Sequence, residues 1–172
     1  KKLMIREKAG IHCSIDGPQF IQDKNRPFKN GRGSFNRVLK KIDLALQISP
    51  QDTARATITP YSSHYLPEIT SFLFEKGFKK AGLFPAYNMD WKDEDYAAWA
   101  KGINEAYQIA ASQKKMISTV LKGKMAGNKN FTYCGAGRGL WAFDTEGRLF
   151  SCHHQTNQPE YQLINAAEAT QE

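Results

Sequence analysis

The chain of 172 residues lacks several features that would place it quickly. No run approaches the ~20 apolar residues needed to cross a bilayer. The basic start "KKLMIREKAGIHC" has no apolar segment and no small-residue cleavage site, so the expectation is a cytoplasmic protein without a membrane partner. Only three cysteines occur, Cys13, Cys134 and Cys152, which is too few for a disulfide scaffold and suits core thiols or metal ligands. No internal repeat or low-complexity tract is present. The net charge is +7, yet the lysines are scattered in pairs such as Lys40 and Lys41 or Lys114 and Lys115. Without a massed basic tract or interleaved aromatics, nucleic acid is not an expected partner.

What is present is an ordinary folding composition, 41% hydrophobic and 24% charged. Residues 11–16 alternate as a strand: Ile11, Cys13 and Ile15 face one way, and His12, Ser14 and Asp16 the other. Gly17 and Pro18 end it, and a polar loop runs to Ser34, a good helix N-cap. Phe35, Val38, Leu39, Ile42 and Leu46 then repeat at helical spacing. The stretch "ARATITP" alternates again, with Arg55, Thr57 and Thr59 opposite Ala54, Ala56 and Ile58.

A shorter helix around Leu66, Ile69 and Leu73 stops at Gly77, and "GLFPAYN" follows as a third strand. Strand, helix, strand, helix, strand at these intervals predicts a parallel sheet, with functional groups at the strands' carboxyl ends. Residues 92–122 read as one long helix opened by Asp93, Glu94 and Asp95, with Gly102 weakening it. A linker over 122–130 leads to two short strands, "LWAF" and "RLFSC", joined by a turn ending in Gly147. The domain division expected from this pattern is 1–122 and 123–172.

Cys134 and Cys152 flank that hairpin with twelve residues between Cys134 and Gly147 and four between Gly147 and Cys152. Two thiolates make at most half of a tetrahedral or cluster site, and the nearby donors are His153 and His154. Core thiols and metal ligands both remain open on this reading.

The C-x12-G-x4-C spacing with "FDTEGRLFSCHH" resembles the opening of the SPASM extension of radical S-adenosylmethionine (SAM) enzymes. "SIDGP…QDKNRPF…GRGSFNRVLKKIDL" independently resembles the fourth strand, loop and helix of the same enzymes, notably the anaerobic sulfatase maturases and their peptide-modifying relatives. "ARATITP" and "GFKKAGLFPAYN" resemble their fifth and sixth strands. The resemblance implies an α/β fold comprising strands four to six of a partial (β/α)6 barrel, then a helix and a SPASM-type hairpin.

It also implies cofactor contacts from Ser14 and Arg26, the serine at the strand end and the arginine twelve residues on that meets the SAM carboxylate. Such a pair suits a carboxylate, since arginine offers a two-pronged donor and serine a hydroxyl beside it. Asp16 is expected to tie down the Gly17–Pro18 loop. Thr57, Thr59 and Tyr87 would face the substrate cavity. Cys134 and Cys152 would ligate an auxiliary [4Fe-4S] cluster, and His153 stands where the sulfatase maturases carry an aspartate base. The implied partners are a peptide or protein substrate and a flavodoxin- or ferredoxin-type reductant.

The sequence departs from the family by lacking C-x3-C-x2-C, whose thiolates hold the SAM-cleaving cluster, and the later SPASM cysteines. The expectation is an internal or C-terminal-half fragment, inactive alone, of an enzyme that abstracts hydrogen with a 5′-deoxyadenosyl radical. The competing expectation is a non-catalytic module of the same fold that binds a peptide or zinc.

Overall fold

The computed structural model describes residues 12–87, 89–119, 136–137, 141–156 and 158–165. Cys134, Ile11, Leu140 and the linker expected over 122–130 lie outside the described residues. The chain divides into two compact units, residues 1–119 and 120–172, each described by itself.

The first unit is built on a parallel sheet in the order β1 (Cys13–Ser14), β2 (Thr53–Ile58), β3 (Lys80–Pro85), β4 (Met116–Ser118). Between β1 and β2 lie α1 (Gln19–Asn25) and α2 (Phe35–Ile48). Between β2 and β3 lie the one-turn α3 (Pro60–Ser63) and α4 (Leu66–Glu75), and α5 (Asp93–Ser112) precedes β4. The strand pattern sorts the two sheet faces. Ile15, Ala54, Ala56, Ile58, Ala81, Leu83 and Ile117 are buried. They share this core with Leu66, Ile69, Leu73 and Phe74 of α4 and Trp99, Ile103 and Ala106 of α5. Each full burial of such a side chain contributes on the order of 1.5–3 kcal/mol. The opposite face carries Ser14, Arg55 and Ser118, all exposed.

Four local features depart from the sequence expectation. The polar loop after Gly17 contains helix α1, held by burial of Ile21 and Gln22. Gln22 accepts from the Asp16 N–H at 2.8 Å and donates to Ser34 Oγ at 3.0 Å. Ser34 therefore does not cap α2 with its side chain. Asp23 of α1 does so instead, its Oδ1 accepting from the Phe35 N–H at 2.7 Å. Gly33 is required beside this carboxylate, because a Cβ there would overlap the Asp23 side chain.

The helix expected over 92–122 ends at Ser112, and a fourth strand follows. Its end is a Schellman closure: Lys114 N–H donates to Ala111 and Lys115 N–H to Ala110, with Lys114 itself at φ 52°. A lysine in the left-handed position leaves no glycine to announce the stop. The end of α4 has the same geometry around Gly77 at φ 99°, where the glycine was legible. Gly102 also proves to be more than a weak spot. A Cβ there would approach Leu66 Cβ at 2.8 Å, so the glycine lets α5 close on α4.

The second unit contains an antiparallel sheet, β5 (Ala142–Phe143), β6 (Arg148–Phe150) and β7 (Gln162–Asn165), in that order. Asp144 organises the β5–β6 turn. Its Oδ1 accepts from the N–H groups of Glu146 and Arg148 at 2.9 and 3.0 Å, and its Oδ2 accepts from Arg148 Nε at 2.6 Å. Gly147 takes φ 78°, which favours glycine. No helix among the described residues is long and apolar enough to cross a membrane.

Candidate ligand site at the strand ends

The carboxyl ends of β1 and β2 are joined through one side chain, Asp16. Its Oδ1 accepts from the Thr57 N–H at 2.9 Å and its Oδ2 from Arg26 Nε at 2.8 Å. Arg26 Nη2 then donates to Thr57 Oγ1 at 3.0 Å and closes a three-residue ring. The Asp16 side chain is 1% exposed and that of Arg26 is 42% exposed, so a buried carboxylate is capped by a guanidinium that still faces water. Its two accepted hydrogen bonds and the ion pair offset the cost of burying the charge. Asp16 thus ties the end of β1 to β2 and to Arg26, a wider role than anchoring the Gly17–Pro18 loop.

Helix α1 delivers the neighbouring groups because consecutive residues at its end turn toward β2. Asn25 donates from Nδ2 to the Thr57 carbonyl and accepts from Thr59 Oγ1, both at 3.4 Å. The Lys24 ammonium lies 3.4 Å from the Tyr61 ring centroid. Thr59 caps α3 reciprocally with Ser62. Around these groups is a cleft of about 560 Å³, lined by Asp16, Lys24, Asn25, Arg26, Thr57 and Thr59, with Tyr61, Ala86 and Met89 completing the wall. Two cations face one carboxylate, so the cleft favours an anionic or carboxylate-bearing ligand. Its size lies within the roughly 300–1,000 Å³ typical of small-molecule sites.

The other expected residues are distributed as follows. Thr57 and Thr59 line the cleft, whereas Tyr87 is exposed and is not among the lining residues. Ser14 borders a different cavity, of about 420 Å³, beside β1 with Phe28, Arg37, Val38 and Ile42. Arg26 is not among the residues lining that cavity. His12 is exposed. The Cys13 thiol is half-buried, and burial, then the nearby Asp52 charge, raises its pKa.

In the second unit Cys152 is half-buried after β6, and His153 and His154 are exposed with ring centroids 4.2 Å apart. Among the described residues no group of three His, Cys, Asp or Glu side chains is arranged to hold a metal ion. Sequence reasoning missed Lys24 and Asn25 as site residues because it read α1 as loop.

No family pattern matches the sequence, and no curated protein matches it. Solved structures do match. One is anSMEcpe with bound AdoMet, at 18% identity and a TM-score of 0.78, covering 98% of this chain and 50% of that one. A second holds anSMEcpe with AdoMet and a peptide, at 17% identity and a TM-score of 0.76, covering 98% and 51%. A third is Streptococcus suis SuiB bound to S-adenosylmethionine, at 14% identity and a TM-score of 0.62, covering 92% and 39%. The chain shares the fold of these proteins over the part that it covers. It spans about half the length of the anSMEcpe structures it matches. In this shared fold, the cleft lies where parallel α/β sheets place their ligands.

Proposed function

We propose that the chain is part of a radical SAM enzyme of the SPASM class that modifies a peptide or protein side chain by 5′-deoxyadenosyl radical hydrogen abstraction. The observation that carries this reading is the polar cleft at the strand ends of a fold shared with SAM-bound structures. The cleft's size, its Lys24 and Arg26 cations and the threonine hydroxyls fit a ligand with a carboxylate, a ribose and a base. In this reading Ser14 and Arg26 are SAM contacts, with Nη1 of Arg26 left for the ligand because Nε and Nη2 are engaged by Asp16 and Thr57. A peptide substrate would approach from the same side of the sheet, and a flavodoxin- or ferredoxin-type protein would supply electrons.

The sheet corresponds in this reading to strands four to six of a (β/α)6 barrel with one further strand, and the β5–β6 hairpin to the start of a SPASM extension. Cys134 and Cys152 would give that extension two thiolate ligands, and His153 would be its candidate base.

The residues present do not fit the SAM-cleaving cluster. The three cysteines of the sequence stand at 13, 134 and 152, so no three-thiolate motif exists to hold it. In this reading the thiolates for that cluster are supplied from outside these 172 residues.

Two measurements test the reading. The 172 residues alone, given iron, sulfide, reductant and SAM, are expected to release no 5′-deoxyadenosine. A longer protein carrying this chain together with a C-x3-C-x2-C motif is expected to release it and to change the mass of a peptide substrate. A colourless protein that binds zinc through Cys152 and a histidine, with no affinity for SAM, would replace this reading with the binding module.

A further inference from the structure

The fold gathers basic residues that the sequence spreads out. Lys29 and Arg32 lie in the loop before α2, and Arg37, Lys40 and Lys41 lie on α2; all five are exposed. The loop is closed by its own hydrogen bonds. The Phe28 N–H donates to the Arg32 carbonyl and the Gly31 N–H to the Phe28 carbonyl, each at 2.8 Å, and the Arg32 N–H donates to Asn30 Oδ1 at 3.1 Å. Gly31 takes φ 78° at the bend. This turn brings Lys29 and Arg32 to one cavity, of about 510 Å³, with Phe28 and Arg37. Residues three and four apart share a helix face, so Lys40, Lys41 and Leu44 continue from Arg37 along the side turned away from buried Ile42.

Two observations separate this surface from an ordinary solvated helix side. The first is its single sign. Among the described residues none of the five cations is ion-paired, and Asp43, the sole carboxylate of α2, is not paired with them either. Elsewhere Arg26, Lys101 and Arg148 each have a carboxylate partner, at 2.8, 4.0 and 2.6 Å. The second is an apolar centre: Phe28 is 36% exposed and Leu44 38%. The Arg37 guanidinium lies 5.7 Å from the Phe28 ring centroid, which holds that side chain beside the ring.

Exposed apolar groups within a charged, water-facing rim have the anatomy of a protein interface. A small anion is held by converging, desolvated cations, whereas these five stay in water. Bases would need a series of free ring faces to stack on, and here Phe28 stands alone with Arg37 against it.

We propose that the 28–32 loop and the exposed face of α2 dock a protein partner through a carboxylate-rich segment whose apolar side chains cover Phe28 and Leu44. The docking surface is distinct from the strand-end cleft and does not depend on the SAM reading.

The probe is a fluorescent amphipathic peptide with glutamates flanking a leucine stripe, beside one version with glutamine for glutamate and another with serine for leucine. Anisotropy would be measured on the whole protein that carries this chain, with melting curves as a check on folding. The acidic peptide is expected to bind with an affinity that falls as salt rises, and both altered peptides to bind about tenfold more weakly. Lys29→Glu combined with Arg32→Glu should weaken the acidic peptide about tenfold and flatten its salt dependence, while Lys101→Glu on α5 leaves it unchanged. Leu44→Ser should weaken binding and leave the salt dependence as it was. If charge reversal lowers the melting temperature, Lys29→Gln with Arg32→Gln repeats the comparison. Absence of binding by the acidic peptide would overturn the proposal, as would equal binding of the glutamine version or an unchanged affinity in the double variant. Equal binding of the serine version marks attraction by charge alone and also overturns it. Displacement of the peptide by inorganic phosphate or oligothymidine, at concentrations below those at which the peptide binds, would make the surface a general anion site and count against a protein partner.

Discussion

Asp16 Oδ2 and Arg26 Nε meet at 2.8 Å across the top of β1, and Thr57 completes the ring by bonding to both side chains. Removing the carboxylate leaves the Thr57 N–H without its acceptor and Arg26 without its counter-charge. Asp16→Ala is expected to lower stability by about 2–4 kcal/mol, and Asp16→Asn by less, since one oxygen still accepts from Thr57. Urea midpoints of the two variants check this, and an unchanged midpoint for Asp16→Ala would show that the ring contributes no net stability.

The cap of α2 is supplied by Asp23 from a neighbouring helix, with Gly33 leaving room for it. Asp23→Ala and Gly33→Ala are each expected to cost about 0.5–2 kcal/mol. Because both remove one cap, the double variant should cost little more than the worse single one. Additive losses in a denaturant-based double-mutant cycle would mean that the two residues act separately.

Gly102 offers a test of sign. In an exposed helix interior, glycine to alanine stabilises by about 1 kcal/mol. Here the new methyl meets Leu66 Cβ at 2.8 Å, so Gly102→Ala is expected to lower the melting temperature. A rise would mean that α4 and α5 separate at little cost.

Asp95 links stability to pH. The Lys92 N–H, then the His64 ring bonded at 3.1 Å, hold its carboxyl below the usual carboxylate range. Its contribution is therefore present above the unfolded value of about 3.9 and is lost as pH falls through the lower folded value. Asp95→Asn should be less stable than the unaltered protein at pH 6, and the gap should narrow at pH 2.5. Urea titrations at the two pH values decide the matter, and a gap of constant size would remove the ionic component.

Alternation and helical spacing made most of the first unit legible before its geometry was known. β2 shows why: Ala54, Ala56 and Ile58 enter the core while Arg55 and Thr57 face the other way, as the period of two requires. The features that escaped depend on contacts distant in sequence. Helix α1 exists because Gln22 bridges Asp16 and Ser34, and β4 follows a helix stop made by a lysine instead of a glycine. At the site, Arg26, Thr57 and Thr59 were found as candidates. Lys24 and Asn25 were not, because only a helix turns them toward β2.

The hydrogen bonds of Asp16 also differ in how far the chain must travel to make them. Arg26 is ten residues away and Thr57 forty-one. Closing the shorter loop is entropically easier, so the Asp16–Arg26 contact can form while β2 is still unpaired. The contact with Thr57 must wait for β1 and β2 to align. The cleft floor is accordingly a late product of folding, and a chain arrested before that alignment would hold its carboxylate and guanidinium together with no cleft beneath them.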